Sequence, residues 1–189
     1  MKSFKLLNMS KIGKQPIKIL DDVKVDFDQS KKLFTITGKK GTLTHRVNDA
    51  VVVEIKEDTK EIVLKPRKTG REFFAIWGTE RALIDNCIVG VSAGFEKRLI
   101  IEGIGYKAEV KDKILVLNVG YSHPVNLEIP GDLTVTVEKT VISVSGISKK
   151  SVGDFSALIR IQRKTNPYSM KGIRYSDERV VKKSGKKAG

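Results

Sequence analysis

The chain has 189 residues, of which 40% are hydrophobic, and a formal net charge of +14. This length provides for one large domain or two small ones, and no apolar run approaches the roughly eighteen residues that a transmembrane helix needs. One cysteine and two histidines, without metal-ligand spacing, argue against an internal disulfide, a zinc site and any other cofactor.

Short strands and one helix are predicted in the first half of the chain. Apolar and polar residues alternate at residues 23–27, 33–37, 42–47, 51–55 and 62–64, which is typical of strands. Apolar residues then recur at helical spacing, namely Phe73, Ile76, Trp77, Ile84, Cys87, Ile88 and Val91. Thr69 and Glu72 have capping-box spacing, which predicts a cap for this helix. We therefore interpret Trp77 and Cys87 as structural core residues.

Two features of the next segment could be read as functional sites, namely a glycine-rich stretch and a histidine. The glycines of Gly103-Ile104-Gly105 resemble part of a dinucleotide-binding motif, which requires a helix directly after it. The residues that follow are typical of a strand instead, so we interpret these glycines as hairpin geometry. His123 precedes Pro124, and we interpret it as a turn residue in preference to a nucleic-acid contact.

The second half of the chain repeats the first at an offset of 82 residues. Residues 33–38 fall on 115–120, and Thr69-x-x-Glu72 falls on Ser151-x-x-Asp154. A second helical stripe consists of Val152, Phe155, Leu158, Ile159 and Gln162. We therefore predict an α+β chain of two tandem duplicated domains, each a small, mostly antiparallel sheet packed against one helix, with a basic extended C-terminal tail.

Most of the net positive charge lies at the two ends of the sequence. Residues 160–189 contain ten Lys or Arg against two acids, and residues 1–18 contain five lysines and no acid. Residues 19–159 carry 21 basic and 20 acidic side chains. Such end-loaded charge favours a polyanionic partner, because each cation placed on a phosphate releases counterions. A solvated tail without a partner is the alternative.

The C-terminal tail also has a pattern. Tyr168 and Tyr175 alternate with Lys and Arg, which suits base stacking combined with phosphate contacts. Pro167 and Gly172 predict a looped, extended backbone. Because apolar side chains are few, we expect the tail to become ordered only against its partner, and residues 9–163 to fold without it.

Five sequence blocks carry a resemblance to a known family. They are Met9-Ser10-Lys11-Ile12-Gly13-Lys14-Gln15-Pro16-Ile17, Trp77-Gly78-Thr79-Glu80-Arg81-Ala82-Leu83-Ile84, Gly103-Ile104-Gly105-Tyr106-Lys107-Ala108, Gly120-Tyr121-Ser122-His123-Pro124-Val125, and Asn166-Pro167-Tyr168 followed by Lys171-Gly172-Ile173-Arg174-Tyr175. With them the chain resembles the bacterial-type L6 family of large-subunit ribosomal proteins. The resemblance implies a two-domain, non-catalytic protein that binds large-subunit rRNA near the base of the stalk. It also implies a monomer within the ribosome, beside neighbouring large-subunit proteins and near the site of translation factors, without a membrane partner.

The resemblance makes residues 1–8 an N-terminal extension. With the internal repeat, it gives a first repeat (9–91), a second repeat (92–164) and a basic rRNA-binding tail (165–189). The predicted rRNA-binding residues are Lys11, Lys14, Arg160, Arg163, Lys164, Tyr168, Lys171, Gly172, Arg174, Tyr175, Arg179, Lys182, Lys183, Lys186 and Lys187. Ser169 and Met170 depart from the family, which commonly has Lys-Gly there, so the tail lacks one cation and one flexible glycine.

Two alternatives stay open from the sequence. The location is a ribosome in the bacterial cytoplasm or in an organelle, either a mitochondrion or a plastid. The alternative function is a free single-stranded RNA-binding protein that uses its sheet faces. That mode needs exposed aromatic side chains on central strands, and Phe27 and Phe34 are as easily core residues.

Overall fold

The computed structural model describes residues 11–56 and 59–185 of the chain. The predicted N-terminal extension, together with Lys186 and Lys187, lies outside these residues. The chain passes from one compact unit to the next between Gly94 and Phe95. Within the described ranges, neither helix is long and apolar enough to cross a membrane.

The first unit contains six short strands and a helix. In chain order these are β1 (Ile17–Lys18), β2 (Lys24–Asp28), β3 (Leu33–Gly38), β4 (Gly41–Arg46), β5 (Val51–Lys56), β6 (Glu61–Pro66) and α1 (Arg71–Ser92). Two antiparallel sheets have the orders β1-β6-β5 and β2-β3-β4. Helix α1 packs against strands of both sheets. Alternate residues such as Phe34 and Ile36 are fully buried, as a period of two residues requires on a half-covered sheet.

The second unit repeats this arrangement. Its elements are β7 (Phe95–Glu102), β8 (Lys107–Lys111), β9 (Ile114–Asn118), β10 (Val125–Glu128), β11 (Leu133–Glu138), β12 (Val141–Gly146), α2 (Lys149–Gln162) and β13 (Gly172–Tyr175). The sheets have the orders β11-β12-β7-β13 and β10-β9-β8, again antiparallel. Helix α2 packs against β7, β12 and β13.

The predicted fold class is confirmed. The β1-β6-β5 sheet corresponds to β7-β12-β11, and β2-β3-β4 corresponds to β8-β9-β10, so both repeats use one topology. In each repeat the strands divide between two sheets, which the sequence pattern did not specify. Strand β13 is an addition that has no counterpart in the described part of the first unit.

The cap predicted at Thr69 is wrong, and the matching pattern at Ser151 and Asp154 does not form the cap of α2 either. The N-cap of α1 is Gly70, which forms no side-chain cap, so Thr69 lies outside the helix. The N-cap of α2 is Ser148, whose Oγ accepts a hydrogen bond of 3.3 Å from the Ser151 N–H. A capping hydroxyl satisfies an amide two or three residues later, and Ser148 has that spacing to Ser151. Ser151 is thus the residue that is capped.

The predicted helical stripes are partly confirmed. Trp77 is buried in the core, and its Nε1–H donates to the Leu64 carbonyl oxygen at 2.8 Å. Cys87 is half-buried, and this burial raises the pKa of its thiol, which disfavours the reactive thiolate. Leu158 is exposed, contrary to its predicted place on the second stripe, and Ser156 is buried instead. The Ser156 hydroxyl is satisfied because it donates to the Val152 carbonyl oxygen at 2.6 Å.

The glycines at residues 103–105 form a turn, as predicted, but not a hairpin. Strands β7 and β8 flank them and belong to different sheets, so the turn carries the chain from one sheet to the other. Gly105 has φ +77°, a left-handed conformation that suits glycine. A strand follows these glycines, so the geometry of a dinucleotide site is absent from this segment.

Candidate nucleic-acid interface

The C-terminal tail is partly built into the second unit. Residues 172–175 form β13, which pairs antiparallel with residues 99–102 of β7. Ile173 is 0% exposed and belongs to the hydrophobic core of this unit. The expectation that the tail orders only against a partner is therefore wrong. That residues 9–163 fold without the tail stays a prediction, and the burial of Ile173 argues against it. The tail contains few apolar residues, but one of them, Ile173, is fully buried beside β7.

Hydrogen bonds close the segment that joins α2 to β13, which we call the basic loop (residues 163–171). The Met170 N–H donates to the Asn166 carbonyl oxygen at 2.8 Å, and the Asn166 N–H donates to the Lys171 carbonyl oxygen at 3.0 Å. The Ile173 N–H donates to the Arg163 carbonyl oxygen at 2.7 Å, which fixes both ends of the loop together. The basic loop is therefore shaped by its own backbone.

Gly172 allows two passes of the chain to touch. It is buried at φ +142°, and a Cβ added there would lie 2.5 Å from the Thr165 Cα. Gly172 is one of the predicted rRNA-binding residues, but the structure places the backbone of Thr165 against it. Any larger residue at this position would separate β13 from the basic loop.

Met170 adopts a left-handed conformation with φ +60°. The resemblance described above implies a glycine at this position. A side chain with a Cβ in this region costs on the order of 1 kcal/mol. The departure noted in the sequence thus places a side chain with a Cβ in a left-handed conformation and introduces local strain.

Two of the predicted rRNA-binding arginines are engaged in ion pairs inside the unit. Arg160 holds Glu178 through two hydrogen bonds of 2.8 and 2.5 Å, and Arg174 donates to a Glu102 carboxylate oxygen at 2.6 Å. The hydrogen bond from Arg160 is the main cause that lowers the pKa of Glu178 below its usual range. Both pairs tie the tail to elements of the second unit.

The two predicted stacking tyrosines differ in their surroundings. Tyr175 is half-buried, with Lys97 Nζ 4.9 Å and the Arg160 guanidinium carbon 5.6 Å from its ring centroid. Tyr168 lies in the basic loop and is 58% exposed. Tyr168 is therefore the better placed of the two to receive a base.

Three other cations surround a cleft beside the basic loop. Arg163, Lys164 and Lys171 lie on it, and within the described residues none of them forms an ion pair with a carboxylate. The remaining lining residues are Tyr106, Tyr121, Ile161, Gln162, Asn166 and Ser169, and the cleft has a volume of about 430 Å³. An uncompensated group of three cations around a concave surface is suited to a phosphate-bearing ligand.

Arg163 connects the cations of the cleft to its aromatic residues. Its guanidinium carbon lies over the Tyr121 ring, 5.2 Å from the centroid. Hydrogen bonding to Tyr121, and then to Tyr106, raises the pKa of Arg163. Sequence reasoning missed both tyrosines as functional residues, although they stand in the Gly-Tyr-Lys-Ala and Gly-Tyr-Ser-His blocks that carry the family resemblance.

The other predicted contacts are separate from this cleft. Arg179, Lys182 and Lys183 are exposed in the last described residues, and the Lys183 N–H donates to the Pro167 carbonyl oxygen at 3.0 Å. Lys11 and Lys14 are exposed in the first unit. Among the described residues, no group of three or more His, Cys, Asp or Glu side chains could hold a metal ion.

Comparison with known proteins identifies relatives over almost the whole chain. The model of the family described as Ribosomal protein L6 matches residues 20–94 and again residues 102–176. A large ribosomal subunit protein uL6 of Nautilia profundicola is 42% identical over 180 residues, covering 95% of this chain and 99% of that protein. Proteins of the same name from Desulforapulum autotrophicum and Geobacter sulfurreducens are 45% identical (95% of this chain, 99% of theirs) and 44% identical (94% and 98%).

Proposed function

Because this chain belongs to the ribosomal protein L6 family, we propose that it is a structural constituent of the large ribosomal subunit and binds its rRNA mainly through the segment after α2. The family is structural, so the protein is not an enzyme. The relatives named above are bacterial, which supports a bacterial ribosome as the location.

The observation that carries the rRNA-binding proposal is the division of the tail cations into two groups. Arg160 and Arg174 are paired with Glu178 and Glu102, so they position the tail. Arg163, Lys164 and Lys171 have no carboxylate partner among the described residues and share one cleft. Unpaired Lys and Arg side chains bind the phosphates of RNA favourably, because each contact releases condensed counterions.

The proposed rRNA-contact surface continues from this cleft to the rest of the C-terminal tail. Tyr168 supplies an exposed ring next to the cleft, and Arg179, Lys182 and Lys183 supply further exposed cations. Lys186 and Lys187 continue this basic sequence. Lys11 and Lys14 form a second contact from the first unit. In this proposal Gly172 and Tyr175 act on the shape of the tail and do not touch RNA.

The proposed placement within the subunit rests on the family resemblance alone. It supports a position near the base of the stalk, beside neighbouring large-subunit proteins and close to where translation factors act, with one copy in each ribosome. The alternative of a free single-stranded RNA-binding protein is less well supported. Phe34 is fully buried, and its ring centroid lies 4.5 Å from that of Phe27, so these two strand aromatics pack in the core.

Titration of the full-length protein with large-subunit rRNA fragments at several salt concentrations tests the proposal. The wild-type protein should prefer large-subunit over small-subunit rRNA. Lys171→Ala should weaken binding and lower the slope of log K against log salt by roughly 0.7 to 0.9. Lys113→Ala is the matched control, because it removes the same charge from an exposed site outside the cleft. Equal losses from the two variants, or no preference for large-subunit rRNA, would refute the proposal.

A further inference from the structure

We propose that the cleft beside the basic loop takes one unstacked RNA nucleotide, with its phosphate between Lys164 and Lys171 and its base against Tyr121. This inference rests on the proposed function and specifies how RNA is held at that site. Two other clefts of the second unit are less suited to a nucleotide, and one of them, between β8 and β11, has no aromatic side chain in its lining. The other, lined by Glu96, Lys97, Arg98 and Asp177, carries equal numbers of acids and bases.

The cleft combines apolar and cationic surfaces, as the binding site of a nucleotide does. Tyr121 is 48% exposed and Ile161 is 60% exposed, so two large apolar side chains face solvent next to three cations. Exposed apolar side chains grouped at a concave site indicate a binding surface. A nucleotide would cover them with its base and place its phosphate on the neighbouring lysines.

Hydrogen-bonding groups in the cleft are mainly donors. The Tyr121 hydroxyl donates to the Gln162 carbonyl oxygen at 2.8 Å, and the Asn166 Oδ1 accepts from the Tyr168 N–H at 2.8 Å. The Asn166 amide group therefore adds its NH₂ donors to those of Arg163, Lys164 and Lys171. The matching ligand supplies acceptors, as phosphate oxygens, base carbonyls and ring nitrogens do.

An acidic peptide would also supply acceptors, but it has no flat ring to cover the apolar surface. The rings of Tyr106 and Tyr121 in the cleft thus favour a nucleotide over an acidic peptide. The cleft is also formed before the ligand arrives. Tyr121 is tied to the end of α2, and the basic loop is closed by the hydrogen bonds of Asn166 and Met170. The protein therefore loses little conformational entropy when the nucleotide binds, which favours affinity.

Two substitutions of Tyr121 separate the ring from its hydroxyl. Tyr121→Leu removes the stacking surface and should weaken binding of the full-length protein to large-subunit rRNA by about 5- to 150-fold. Its salt slope should stay at the wild-type value, because no phosphate contact is lost. Tyr121→Phe keeps the ring and loses the hydrogen bonds of the hydroxyl with the Gln162 carbonyl oxygen and with Arg163. Arg163 keeps its charge, so the affinity should stay closer to wild type than that of Tyr121→Leu. Lys171→Ala should show the opposite signature, a reduced salt slope.

A second variant and a second readout keep the test decisive. Ile161→Glu places a carboxylate at an exposed helix position of the cleft, and it should weaken RNA binding even if Tyr121→Leu does not fold. Ultraviolet crosslinking of the wild-type complex, followed by peptide mapping, should place a crosslinked base on Tyr121 or Tyr106. Wild-type affinity in a folded Tyr121→Leu protein or in Ile161→Glu, or selective binding of an acidic peptide, would overturn the nucleotide cleft. Failure of the wild-type protein to bind large-subunit rRNA would instead overturn the proposed function.

Discussion

Strand β13 makes the stability of the second unit depend on a residue of the C-terminal tail. Ile173 is 0% exposed in the core of that unit. Replacement of a fully buried isoleucine by alanine costs about 2–5 kcal/mol, because the lost transfer free energy adds to the cavity that remains. A domain of this size has a free energy of unfolding of roughly 5–14 kcal/mol. Ile173→Ala should therefore remove a large share of the stability of the second unit.

The chain carries a separate spectroscopic reporter for each unit. Its single tryptophan, Trp77, lies in the first unit, and all four tyrosines, Tyr106, Tyr121, Tyr168 and Tyr175, lie in the second. Urea unfolding followed by tyrosine signals should show a midpoint for Ile173→Ala that is lower by roughly 1–3 M. Trp77 fluorescence should report an unchanged first unit.

A matched control distinguishes burial from the chemical change itself. Ile104→Ala makes the same substitution at a side chain that is 89% exposed, and it should alter stability by less than about 0.5 kcal/mol. A chain that ends at Arg163 should lose the cooperative tyrosine transition altogether, since it lacks β13 and the partners of Glu102 and Arg160. A tyrosine transition of Ile173→Ala at the wild-type midpoint would refute the structural role of β13.

Three further predictions concern local features. Met170→Gly should stabilise the second unit by roughly 0.5 to 1 kcal/mol in the same urea assay, because relief of the left-handed strain exceeds the added freedom of the unfolded chain; a loss of stability would contradict this account. Glu178 has a lowered pKa in the folded state, so its contribution to stability is present above the ordinary glutamate pKa of about 4.3 and is lost as the pH falls below it. Glu178→Gln should thus be less stable than wild type at pH 7, and the gap should close toward pH 3; a gap independent of pH would rule out the ion pair with Arg160. Cys87→Ala should cost less than about 1 kcal/mol by Trp77 fluorescence and leave ribosome sedimentation profiles intact, since the thiol is half-buried and burial raises its pKa; an assembly defect would show that Cys87 has a further role.

Much of the fold could be predicted because its local patterns agree with its tertiary structure. The predicted strand at residues 33–37 is observed as Leu33–Gly38, and that at 51–55 as Val51–Lys56. Alternation of apolar residues is a direct record of which face is buried. The offset of 82 residues between the repeats reappears in the two segments that match the family model.

The features that were missed depend on contacts between distant residues. Strand β13 contains one fully buried side chain, Ile173, and its pairing partner β7 lies far back in the sequence. The cleft brings Tyr106 and Tyr121 from two connections to the end of α2, where the basic loop begins. The spacing of residues along the sequence does not show that these distant segments meet in one cleft. Net charge likewise could not show that Arg160 and Arg174 are already paired.

The position of β13 along the chain also bears on the order in which the two units form. In the first unit, the strand pair most distant in sequence joins residues 17–18 to residues 61–62, whereas β13 joins residues 172–175 to residues 99–102. Folding slows as the sequence separation of native contacts increases, because a longer loop must close first. During synthesis the first unit can be complete while β7 still has an unpaired edge. An open edge is a template for association with other chains, so the second repeat is the one that needs protection until its last strand has been made.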